Sequence, residues 1–79
     1  MTRRQRVPLS ESAWRVLRAL KGAGGTAPAE SLLEPLNGSW HRLLGAVGAL
    51  ESRGLVRLRP GYVVLTRDGL RALSSRFAH

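Results

Sequence analysis

Arg57 and Arg59 stand two residues apart in Val56-Arg57-Leu58-Arg59-Pro60-Gly61. On an extended strand both guanidinium groups therefore leave from one face. A guanidinium is planar, permanently charged and forked, which suits it to phosphate oxygens and guanine edges. A second basic group, Arg3, Arg4 and Arg6, lies in the polar arm that residues 1–8 are expected to form. Thirteen Lys and Arg residues against five Asp and Glu give a formal net charge of +8. So positive a field on a 79-residue chain favours polyanionic partners. Lys21 is the single lysine, and this skew to Arg is also what a GC-rich coding sequence produces together with abundant Ala, Gly and Leu.

Catalysis finds no comparable support. The five acids, Glu11, Glu30, Glu34, Glu51 and Asp68, are scattered along expected helices. No Ser, His and Asp arrangement, glycine-rich phosphate loop or metal-ligand spacing is present. The absence of Cys removes disulfides and thiolate metal sites, and His41 and His79 alone make no metal centre. The expectation is a protein that is not an enzyme and takes no cofactor, with no small-molecule effector evident. No stretch reaches the roughly 18 apolar residues of a membrane span, and the N-terminal arginines are followed by no apolar segment. A cytoplasmic protein with no membrane partner is expected.

The elements that must position these arginines follow from period and punctuation. Ser10 is a good N-cap, Leu9 and Trp14 stand at the two positions of a hydrophobic staple, and Ala13, Val16, Leu17 and Leu20 form an apolar stripe. Gly22 to Gly25 end that first helix. Ala29, Leu32, Leu33 and Leu36 then repeat at i, i+3, i+4, i+7 after Pro28, which predicts a short second amphipathic helix. Asn37-Gly38-Ser39 makes a tight connection to a third helix from about Trp40 to Arg53, the spacing of a helix-turn-helix. Past Gly54 the period changes to two. Val56 and Leu58 are expected to point inward, opposite Arg57 and Arg59, with Pro60-Gly61 turning the chain and Tyr62 to Leu65 returning antiparallel. Thr66 caps a fourth helix with Leu70, Leu73 and Phe77 on one side. The fold class is α+β, mainly helical, with residues 9–79 as one domain.

Leu50-Glu51-Ser52-Arg53-Gly54-Leu55-Val56, followed after one hairpin by Leu65-Thr66-Arg67-Asp68-Gly69-Leu70, resembles winged helix-turn-helix regulators of the MarR and PadR type. The likeness covers roughly Ser10 to Leu73. It implies a short first strand near Gly25-Thr26 that completes a three-stranded sheet with the wing. It also implies the third helix in a DNA major groove and the wing on the backbone. The wing here is shorter than in MarR-like proteins and lacks their Asp-x-Arg element, so backbone clamping by Arg57 and Arg59 is expected rather than minor-groove insertion.

On the third helix, Leu43, Ala46, Val47 and Leu50 fall on one face, which should be core, with Trp40 and Leu44 packed at its flanks. The opposite face carries His41, Arg42, Gly45, Gly48, Ala49 and Ser52, which the resemblance assigns to groove contacts. Ser39, His41 and Arg42 are placed near the DNA. Gly45, Gly48 and Ala49 have no side chain with which to read a base edge. Two interior glycines cost roughly 1 kcal/mol each relative to Ala, so a smooth face suits close approach by a partner. Two readings stand: a double-stranded DNA-binding transcriptional regulator using Arg3, Arg4, Arg6, Ser39, His41, Arg42, Gly45, Arg57 and Arg59, and an interaction module whose Gly45/Gly48 face docks a protein or a second copy of the chain.

Overall fold

In a computed structural model, residues 8–77 are described. Ser10 caps the first helix, α1 (Glu11–Gly22), its hydroxyl oxygen accepting the Ala13 N–H at 3.1 Å. Ala13, Val16, Leu17 and Leu20 are fully buried, and the staple residues Leu9 and Trp14 pack against them. Trp14 also receives the Arg76 guanidinium, 4.6 Å from its ring centroid. This cation–π contact ties the first helix to the end of the last. The helix closes in a Schellman motif: Gly25 N–H reaches Leu20 O and Gly24 N–H reaches Lys21 O, with Gly24 at φ +91°.

The chain next forms a strand, β1 (Thr26–Pro28), and two 3₁₀ turns, Ala29–Leu32 and Glu34–Leu36. A continuous α-helix over this segment, which the apolar spacing predicts, is not what forms. Pro35 has no N–H, and its ring would clash with the carbonyl four residues earlier, so the segment tightens to i→i−3 bonds. Leu33 N–H reaches Glu30 O, Leu36 N–H reaches Leu33 O, and Asn37 N–H reaches Glu34 O. The apolar repeat still delivers Leu32 and Leu36 to the core. Arg15 fastens the segment to α1 by donating to the Pro35 carbonyl at 3.3 Å.

Asn37 and Gly38 both take positive φ, and Ser39 then caps α2 (Trp40–Ser52), accepting the Arg42 N–H at 3.2 Å. Leu43, Ala46, Val47 and Leu50 are buried as expected. A second Schellman motif, Leu55 N–H to Leu50 O and Gly54 N–H to Glu51 O, reverses the chain into β2 (Val56–Arg59). Pro60-Gly61, with Gly61 at φ +78°, fits the type II turn pattern and leads into β3 (Tyr62–Leu65). The sheet is antiparallel in the order β1-β3-β2, so the short edge strand expected near Gly25-Thr26 is present, one to two residues later. Pro28 lies on an edge strand, where its missing N–H breaks no ladder bond on the open side.

Thr66 begins α3 (Arg67–Phe77); its hydroxyl oxygen accepts Gly69 N–H at 3.0 Å and its hydroxyl donates to Gly54 O at 2.7 Å. Leu73 is buried, whereas Leu70 is exposed rather than on the core side; the Phe77 side chain lies outside the described residues. The core is the meeting of α1, α2, the two 3₁₀ turns, one sheet face and Leu73, and none of the described residues buried in it is polar. Among the described residues no helix is long and apolar enough to cross a membrane.

Candidate nucleic-acid interface

The first turn of α2 has an unusual charge. Helix N-termini carry a partial positive charge and favour acids, and α1 and α3 follow this with Glu11 and Asp68. In α2 no acid lies in the first turn, whose exposed positions are Trp40, His41 and Arg42. Backbone dipole and the Arg42 charge therefore add at that end instead of cancelling. The Ser39 hydroxyl oxygen accepts from Arg42 N–H, so its role in the structure is to cap this turn.

Along the solvent face of α2 the chemistry becomes apolar. Gly45, Gly48 and Ala49 are exposed, and a Cβ added at either glycine would meet nothing within 4 Å. Nothing among the described residues requires glycine there. Trp40 and Leu44, expected to pack at the flanks of the core stripe, instead face solvent, at 49% and 67% exposure. Leu44 follows Leu43 by about 100° of helix rotation, which carries it off the buried arc.

The sheet sorts its side chains by register. Val63 is buried, and its cross-strand partners Ala27 and Leu58 share its face. Leu58 nevertheless remains 47% exposed: it points to the core side as expected but stands near the turn end of an edge strand, beyond what the core covers. The outer face carries Arg57 beside Val64 and Arg59 beside Tyr62, with Pro28 on the other side of Tyr62. An exposed Tyr thus stands in one row with an exposed Arg. Sequence reading missed it, although the pairing of residues across a two-residue turn was enough to place it there.

The wing does not project freely. Its outermost pair, Arg59 and Tyr62, is flanked by Pro28, and the turn itself is held by Ala29 N–H donating to Gly61 O at 3.3 Å. Among the described residues Arg42, Arg57 and Arg59 join no ion pair, whereas Arg15 pairs with Glu11 at 3.7 Å. His41, Arg42 and Gly45 thus share one exposed helix face with Ser39 at its head, and Arg57 and Arg59 share the outer sheet face, with β2 packed against α2. Arg3, Arg4 and Arg6 lie outside the described residues. Set against protein-family models, curated proteins and solved structures, the chain matches none.

Proposed function

We propose that this chain is a winged-helix DNA-binding domain serving transcriptional regulation, with α2 in the major groove and Arg57 and Arg59 on phosphates of the same duplex. The observation that carries the reading is the acid-free first turn of α2, where Arg42 adds its charge to the positive helix terminus and His41 stands beside it as a hydrogen-bonding side chain. Such a turn is disfavoured in isolation and becomes favourable against phosphate. The element order of helix, edge strand, 3₁₀ turns, helix, hairpin and helix supports the winged-helix architecture. The arm arginines Arg3, Arg4 and Arg6 add further phosphate contacts on this reading, and no cofactor is involved.

Fluorescence anisotropy titration of duplex DNA at several salt concentrations tests it. Counterion release makes the log–log slope count phosphates, and a slope between roughly −3 and −6 is expected from the arm, helix and wing. Absence of binding at about 50 mM salt, where non-specific contacts are strong, overturns the reading. A second reading, docking of a protein partner or a second copy, is favoured by the exposure of Leu44 beside Gly45 and Gly48. It predicts self-association or partner capture without duplex affinity.

A further inference from the structure

Between its first and last turns the solvent face of α2 carries no hydrogen-bonding side chain, with Glu51 and Ser52 standing at its far end. Leu44 is the long side chain on it, flanked by Gly45 and, one turn on, by Gly48 and Ala49. In the major groove, base pairs differ in their hydrogen-bond donors and acceptors and in one apolar group, the C5-methyl of thymine. A side chain with no nitrogen or oxygen responds only to the latter. We infer that α2 reads thymine methyl groups, with Leu44 as the reading residue, and that A·T-rich duplexes are its preferred ligand. This rests on the DNA-binding reading above and assigns its base preference.

Two features leave this face open to a partner, and its charge selects duplex DNA as the occupant. Leu44 is 67% exposed, so its apolar surface is available and covered by nothing in the described chain. The two neighbouring glycines have open space where a Cβ would stand, so the helix backbone can approach the groove floor more closely than a helix with full side chains. The charge at the head of the same face, Arg42 with no acid in α2 before Glu51, on a chain of formal net charge +8, is complementary to the phosphates that border a groove and unsuited to a basic partner such as a second copy.

Replacing thymidine by deoxyuridine removes the C5-methyl and leaves every hydrogen-bonding group in place. The test compares anisotropy titrations of an alternating A·T duplex, about two helical turns long, with the same duplex built from deoxyuridine. The parent protein should bind the thymidine duplex more tightly, by about fourfold for each methyl group buried. Leu44→Ala should weaken binding and bring the two duplexes to equal affinity, while Leu44→Met keeps the difference. Both variants replace an exposed residue by a good helix former, and circular dichroism checks that each is folded. Equal binding of the two duplexes by the parent protein overturns the inference and leaves the DNA reading standing. So does an undiminished ratio in folded Leu44→Ala, which would assign the preference to duplex shape. Failure to bind either duplex overturns the DNA reading itself.

Discussion

The α-carbon of Gly69 lies against the carbonyl oxygen of Leu55, in the space where any other residue would carry its Cβ. That carbonyl also accepts the Thr66 N–H at 3.1 Å, and the Thr66 hydroxyl bridges Gly69 N–H and Gly54 O. The first turn of α3 therefore clamps the Gly54-Leu55 reversal, which sets the direction of β2 relative to α2. Two surfaces proposed to meet one duplex are held in mutual register by a contact that touches neither.

Gly69→Ala should lower stability. Alanine adds up to about 1 kcal/mol of helix propensity, but the displaced neighbour is backbone and Leu65 Cδ1 is also in the way at 2.7 Å. Overpacking of this kind costs about 1–3 kcal/mol, and a rigid neighbour puts Gly69 at the upper end. Urea denaturation should show a midpoint below that of the parent; a midpoint at or above it would refute the clamp.

Gly45→Ala and Gly48→Ala should act in the opposite direction. Both positions are helical with open space around the missing Cβ, so each substitution should add about 0.5–1 kcal/mol through propensity alone. Thermal melts of the two single variants and the double variant check this, with the double expected to be near the sum of the singles.

Arg57→Ala with Arg59→Ala should weaken binding to all duplexes alike. Loss of two phosphate contacts flattens the salt slope by about 1.8, because each contact contributes about 0.9. Base preference should not move, since phosphate contacts carry no direct sequence information. A changed preference at constant slope would mean that the outer sheet face reads bases.

Gly45→Glu should leave folding intact and damage binding. Glutamate is a better helix former than glycine and the position is open, so circular dichroism should be unchanged. Its carboxylate would face phosphates, and roughly 1.4 kcal/mol of repulsion lowers duplex affinity tenfold. Undiminished affinity in the folded variant would transfer this face from DNA to a protein partner.

The sequence announced every element whose boundary is set by a local signal. Ser10, Gly24, Ser39, Gly54, Pro60-Gly61 and Thr66 each act within a few residues, and each stands where its cap or turn requires. Apolar period assigned the buried faces of α1 and α2 but could not distinguish an α-helix from two 3₁₀ turns over 29–36, where Pro35 decides. It also failed where burial depends on what lies opposite. Trp40, Leu58 and Leu70 are apolar and near the right face and Leu44 lies one step off it, yet nothing among the described residues reaches out to cover them. Gly69 was visible as a motif residue; the reason for it, a carbonyl 14 positions earlier in the chain, exists only after folding.

If the chain reads DNA as proposed, the bond from Ala29 N–H to the Gly61 carbonyl limits how many base pairs one domain addresses. With the hairpin held against β1, recognition on the proposed reading falls to one helix spanning a few base pairs, comparable to the three or so that a zinc-finger helix contacts. A word of roughly four base pairs recurs about every few hundred positions by chance, far too often to mark one site among the millions of competing sites in a genome. Selective occupancy by such a domain therefore requires a second recognition unit on the same DNA, and a sequence address made of paired or repeated short words.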